Sequence, residues 1–458
     1  MHFPMSEHPP DSQPHSASAG PEEHREGGPR PPSFTRRDLV WLLLLVLFAF
    51  ASRAYRIDFP SREYFDEIYY VDAAQKIYAG QEDPNSVHPL LGKLQLGLGI
   101  ELVDFLRFRG VPLNETVGWR LGSLVLGVAI IPLTFYLGWI IPGGGRFVAF
   151  TAAGLVSFDF MHLVQSRIAM LDMYQAFWIM LGLVAAWKYL EAGRRSSLWA
   201  LTAAIMFGLA TACKWSGLFA AVGAFLAMVL LWPAGFNFRR LVALIVLFSL
   251  VIPAVYLLSY TPLFVREGAI GPKQLETIKG YHQRMVRFRY NKKEFDHRYL
   301  SPFYSWPVDY KPVWYVYEEE PKDDPLAENK TVRGVVTIGN PLFWLPFLMF
   351  LLEASILAWT RRDRARAFLV LTYFPQVLLW ASATTGGFIY YMLPCIPIMA
   401  LISGMALLEW TDTPFWRRAL IGYFVCILIS FAVFFPLLTG LSIPEGYFRR
   451  LFFIRSWI

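Results

Sequence analysis

Residues 119–141 read WRLGSLVLGVAIIPLTFYLGWII, with a single charge, Arg120, at the second position. A hydrocarbon core about 30 Å thick needs roughly 20 apolar helical residues to cross it. The stretch therefore predicts a membrane span, and its Gly and Pro residues are tolerated in such helices. Apolar blocks of the same kind recur at about 147–165, 170–188, 198–214, 216–232, 241–260, 341–359, 367–384, 388–409 and 419–440. One more, Leu39 to Phe50, follows Arg36 and Arg37. The expectation is an all-α polytopic membrane protein with about 11 transmembrane helices. The segment TRRDLVWLLLL, with Ala49 and Ala51 nearby, also fits a cleaved export signal. An uncleaved first span is favoured because the rest of the chain is polytopic, and both readings put residue 56 onward outside.

Composition fits this reading. Of 458 residues, 55% are hydrophobic and 17% charged, which excludes disordered, coiled-coil and disulfide-stapled proteins. Cys213, Cys395 and Cys426 lie inside apolar blocks and make no metal or disulfide spacing. The net charge of +7 comes from short basic clusters between the blocks, a mark of membrane orientation and not of nucleic-acid binding. These clusters, at Arg146, Lys188 to Arg195, Arg239 and Arg240, Arg361 to Arg366, and Arg417 and Arg418, fall at alternate turns of the chain. They place the N-terminus in the cytoplasm and the two long loops, 56–118 and 261–340, outside with the C-terminal tail. The chain divides into a disordered cytoplasmic tail (1–35), an N-terminal transmembrane module with the first external loop (36–260), the second external loop (261–340) and a C-terminal four-span region (341–458).

Ionisable residues beside the apolar blocks gather on the outer face. Asp66, Glu67, His88 and Lys93 lie in the first loop, Arg120 at the outer end of the second span, Arg167 and Asp172 at the next outer turn, Lys214 at the one after, and His297 in the second loop. Such groups are costly near hydrocarbon and are functional candidates by default. Asp66 to Tyr78, with Ile68, Val71, Ala74 and Ile77 at helical spacing, predicts a short interfacial helix. Asp66 is then either its N-cap, with Glu67 in the first turn, or a group facing a cleft. Neighbouring carboxylates on a helix diverge by about 100°, so the two have different roles. His88 and Lys93 have bland readings as a turn residue and a snorkelling side chain. In GPKQLETIKGYHQRMVRFRYN (271–291), Leu275, Ile278, Met285 and Phe288 oppose Lys273, Lys279, Arg284, Arg287 and Arg289. That predicts a second, basic interfacial helix suited to anionic head groups. DHRYLSPFYSWPVDYKPVWYVYEEE (296–320) is dense in Tyr, Trp and Pro, as in an extended sugar- or peptide-binding loop or an aromatic belt.

FDE (65–67), followed by HPLLGKL (88–94), resembles the first lumenal loop of the protein O-mannosyltransferases, whose pattern is Asp-Glu and then His-Pro-Pro-Leu-x-Lys. WRLGSLVLGVAIIPLTFYLG, SRIAMLDMYQAFW and CKWSGLFA resemble that family's second, fourth and sixth spans. HRYLSPFYSWPVDYKPVWYVYE and IGNPLFWLPF resemble its C-terminal region, so the likeness covers about 36–458. Leu90 replaces the second Pro, and the 261–340 loop is too short for the β-trefoil (MIR) domain of the eukaryotic enzymes, which points to a prokaryotic member.

The resemblance implies a GT-C glycosyltransferase (family 39) that inverts the anomeric carbon in a single displacement. Asp66 would take the proton of an acceptor Ser or Thr, and Glu67 would orient Asp66 or hold the acceptor. Arg120, Lys93, Arg167 and His297 would stabilise the leaving lipid phosphate, with His88 and Asp172 also in the substrate-binding set. The donor is polyprenyl-phosphate mannose. No nucleotide or certain cofactor is expected, and a divalent metal requirement is left open. Expected partners are Ser/Thr-rich exported polypeptides, membrane lipids and the secretion translocon, with no nucleic acid. The expected location is the bacterial plasma membrane, with the site on its external, periplasmic face. Two other readings compete: an aminoarabinose-transferase-like enzyme acting on an envelope glycolipid or polymer, and a secondary transporter. A transporter would place its ionisable groups at the bilayer midplane between related halves.

Overall fold

The computed structural model describes residues 33–233, 235–267, 271–290, 297–319, 330–383, 386–452 and 454–457. The expected disordered tail falls almost wholly on 1–32, outside the described residues.

The first helix, α1 (Arg36–Ala54), starts at a capping box in which Thr35 and Asp38 bond each other's backbone N–H. The first long loop then folds into α2 (Glu67–Tyr78) and α3 (Leu91–Phe108) before α4 (Glu115–Ile140). The helix α3 has no counterpart in the sequence reading. Its glycines mark close approach: a Cβ on Gly97 would lie 2.3 Å from the Tyr78 ring, and one on Gly99 2.6 Å from the Gly118 carbonyl of α4.

There follow α5 (Arg146–Ser157), α6 (Phe160–Gln165), α7 (Leu171–Glu191), α8 (Ser196–Cys213), α9 (Gly217–Leu230) and α10 (Phe238–Leu258). The second loop carries α11 (Thr261–Glu267) and α12 (Pro272–Tyr290), and the C-terminal region α13 (Pro341–Thr360), α14 (Arg364–Leu378), α15 (Ile396–Glu409), α16 (Pro414–Thr439) and α17 (Glu445–Leu451).

Six helical stretches among the described residues are long and apolar enough to cross a membrane: α4, α8, α10, α13, the 389–412 run containing α15, and α16. The chain is thus a membrane protein, mostly helical. Some apolar blocks are interrupted. The 147–165 block breaks at Phe158 because Asp159 caps α6 through the His162 N–H. The 388–409 block opens as a tight 3₁₀ stretch, Ile389–Cys395, around Pro394. Eleven apolar blocks are therefore not eleven long helices.

Apolar on every side, α7 is buried nearly throughout, as such a helix must be; it packs on α8, α4 and α9. By contrast, α10, α13 and α16 leave Leu250, Met349 and Ile421 about two-thirds exposed, the pattern of lipid-facing helices.

The all-α expectation is amended by a small antiparallel sheet ordered β1 (Val313–Glu319), β2 (Thr331–Thr337) and β3 (Ile443–Pro444). Its signal was the aromatic and β-branched run VWYVY. Pairing runs from Val313 with Thr337 to Glu319 with Val332 and skips Tyr315, a β-bulge. A bulge puts two residues opposite one and resets the alternation of faces. Trp314 and Tyr317, which a regular strand would point to opposite sides, have ring centroids 6.0 Å apart. Tyr315 instead meets Phe65 of the first loop at 4.5 Å.

Candidate active site

Two guanidinium groups shape the loop between α1 and α2. Arg167 donates to the carbonyls of Arg53, Tyr55 and Arg56. Arg120 donates to those of Ile57, Pro60 and Arg62 and, through Nε and Nη2, to both oxygens of Glu67 at 2.9 Å. Glu67 also accepts the N–H groups of Tyr64 and Ala169. Arg120 and Glu67 are fully buried. The outcome is a fork-to-fork ion pair whose remaining valences are filled by backbone. It leaves Phe65, just before Asp66, at φ 53°, a left-handed backbone that a bulky side chain adopts only when its surroundings impose it.

Asp66 sits where an N-cap would, yet its backbone is helical and its side chain makes no capping bond. The carboxylate is only half-buried and faces a polar cluster. Tyr70 of α2 interacts with it, and the charges of Lys214 and Asp172 act on it. Burial, the largest influence, and the Asp172 carboxylate push its pKa up to about 6 against the opposing pull of Lys214. Lys214, in the turn between α8 and α9, donates to both Asp172 oxygens at 2.9 Å. It lies 5.8 and 5.2 Å from the ring centres of Tyr390 and Tyr391. Burial raises the Tyr70 and Tyr315 phenols well above their ordinary values, so both stay protonated donors. The His88 imidazole faces Tyr70 at 5.8 Å. Burial, with Lys214, Lys93 and Arg289 nearby, holds its pKa far below the usual range, so it is neutral.

The structure thus brings Asp66, Asp172, Lys214 and His88 together and sets five other candidates apart. Glu67 does not orient Asp66; it is spent on Arg120 and on backbone. Arg120 and Arg167, expected to hold a phosphate, are committed to carbonyls instead. Lys93 is fully buried and donates to Asp83 at 2.6 Å, to the Asn85 carbonyl and to the His88 carbonyl at 3.1 Å. It fixes the His88 turn. His297 joins an aromatic wall, its ring 6.2 Å from Phe65 and 5.4 Å from Phe388.

Arg289, read only as part of a basic face, lies against Trp380 at 5.0 Å, and its charge reaches His88 and Tyr391. The buried face of α12 is Gln274, Tyr281 and Met285, with Leu275 exposed, and His282 accepts or donates a 3.1 Å bond with Tyr256 of α10. Among the described residues no group of three or more His, Cys, Asp or Glu converges as a metal site would require.

The model of the family described as dolichyl-phosphate-mannose-protein mannosyltransferase matches residues 43–264, which include every member of this cluster up to Lys214. The polyprenol-phosphate-mannose–protein mannosyltransferase of Mycolicibacterium smegmatis is 26% identical, over 93% of this chain and 95% of its own. The chain is similar to the protein O-mannosyltransferases over nearly its whole length. Its fold is that of the GT-C membrane glycosyltransferases. The Saccharomyces cerevisiae protein O-mannosyltransferase Pmt1-Pmt2 complex bound to the sugar donor superposes with a TM-score of 0.75 over 93% of both chains, at 13% identity. ArnT of Cupriavidus metallidurans bound to undecaprenyl phosphate gives 0.55 over 84% of this chain and 62% of its own, at 16% identity. The FDE motif that carries this likeness supplies Asp66, the carboxylate on which the charges of Lys214 and Asp172 act.

Proposed function

We propose that this protein moves mannose from polyprenyl-phosphate mannose to Ser or Thr hydroxyls of exported polypeptides. The observation that carries the reading is Asp66, uncapped and half-buried at a cation–carboxylate cluster. Asp66 takes the acceptor hydroxyl proton as the oxygen bonds the anomeric carbon from one side. The bond from that carbon to the phosphate oxygen breaks on the other, and polyprenyl phosphate departs with its electron pair. Charge growing on the phosphate needs preorganised cations. With Arg120, Lys93 and Arg167 used up by the fold, we assign this to Lys214 and Arg289. Near-complete length agreement with a protein-acting relative favours a polypeptide over a glycolipid acceptor. Asp66, His88 and Lys214 lie in loops and turns between helices and Asp172 in the first turn of α7, against the transporter reading.

The test is purified protein with labelled lipid-linked mannose and a Thr-rich peptide. A mass gain of one hexose on the peptide is expected; donor hydrolysis or a hexose on lipid alone sinks the protein acceptor.

A pH profile follows from Asp66. Its carboxyl, pushed up to about 6, must be ionised to act as base. The acceptor kcat/KM should therefore be full well above pH 6 and fall about tenfold per unit below it. A profile flat from pH 5 to 8 would remove Asp66 from the proton transfer.

Arg289→Gln should weaken donor binding by about 10- to 100-fold, the worth of a charge-assisted bond, with the α-helical spectrum unchanged. An unaltered donor KM would return Arg289 to a surface role.

We place the cluster on the external face of the plasma membrane. A reporter of that side belongs at exposed Tyr304. Cysteines replacing Ser197 and Tyr304 should label from opposite sides of the membrane; labelling of both from outside would refute the orientation.

A further inference from the structure

A second cavity lies at the other end of α1, away from Asp66. It is a furrow of about 820 Å³ between α1 and α5. Its mouth is polar. Arg146 donates to Asp38 through Nε at 2.6 Å and Nη2 at 2.8 Å, and its side chain is still half exposed. Arg37 lines the same mouth, and Arg36 beside it is exposed. Arg37 and Arg146 against the one carboxylate of Asp38 leave the mouth net positive.

Below the mouth the walls are apolar, ending at Phe48 and Phe158, whose rings lie 5.0 Å apart and close the furrow. Gly154 forms part of the floor, and a Cβ added there would meet nothing within 4 Å. From Arg37 to Phe48 a helix rises about 16 Å. That is half of a hydrocarbon core of about 30 Å, the depth of one leaflet.

A furrow one leaflet deep, cationic at the head-group level and apolar to its closed end, has the form of a single lipid. A spanning helix of a partner needs the whole core. Phe34, just before α1, packs away from the furrow on Phe135 and Trp139 of α4, at 6.2 and 5.4 Å. We propose that this furrow binds one anionic glycerophospholipid of the leaflet opposite the active site, its phosphate at Arg37 and Arg146 and an acyl chain along Gly154.

The experiment is native mass spectrometry of the full chain in neutral detergent, titrated with phosphatidylglycerol or phosphatidylethanolamine. One phosphatidylglycerol should be retained in preference to phosphatidylethanolamine. Each cation near an anionic head group contributes about 1 kcal/mol, so Arg37→Gln should weaken retention about fivefold. Gly154→Trp should abolish it, and Gly154→Leu, the milder change, should weaken it if the Trp variant does not fold. Donor binding in the folded variants should stay at the wild-type level. Equal retention of both lipids, or retention indifferent to Arg37→Gln and to Gly154→Leu, overturns the proposal. So does a dimer that the Gly154 variants dissolve, or lipid binding seen only after removal of residues 1–32, since each names another occupant.

Discussion

Asp66→Asn should lower mannose transfer by about 10²- to 10⁴-fold, the usual worth of a positioned general base. The substitution keeps shape and hydrogen-bonding bulk and removes the proton acceptor. Because the Asp66 side chain caps nothing, the start of α2 should not notice the change. The left-handed Phe65 is held by Glu67 and Arg120 on its far side, so the loop should stay as it is. Donor affinity, governed by cations on other elements, should be nearly unchanged. Single-turnover transfer with saturating donor separates chemistry from binding. A well-folded Asn variant that turns over like wild type would remove Asp66 from the mechanism.

Arg120→Met and Glu67→Gln should each lose about 3–5 kcal/mol of stability, because each leaves a buried charge or its carbonyl partners uncompensated. Transfer should disappear with the folded loop. The double variant Glu67→Gln/Arg120→Met should recover part of the loss, since no lone buried charge is left. This recovery distinguishes a structural pair from a phosphate ligand. Were Arg120 holding the donor, removing Glu67 as well would restore nothing. Thermal unfolding in detergent gives the stability cycle, and donor titration of the surviving fold gives the binding one. A stable Arg120→Met protein that has lost only donor affinity would reverse the assignment.

Much of this was legible in the chain. The apolar blocks, the motif around Asp66 and the cost of ionisable groups beside hydrocarbon all pointed to one end of the molecule. Sequence could show that Arg120, Arg167 and Lys93 sit near the membrane surface. It could not show that each is used up by carbonyls or carboxylates, since those acceptors come from a loop whose path is itself set by the cations. Lys214 was visible as a charge among apolar residues, but its partner Asp172 lies 42 residues away and meets it only through the packing of α7 on α8. The helix α3 was obscured by Gly92, Gly97 and Gly99, which weaken helical propensity and are there because neighbours approach too closely for a side chain.

The bulge at Tyr315 sets how this part of the chain can change length. Losing Tyr315 would leave Trp314 and Tyr317 on one face of a regular strand and remove the phenol that meets Phe65. Descendants of this sequence that gain or lose a residue at the bulge would therefore lose the ring contact between the two long loops, and such changes should be purged.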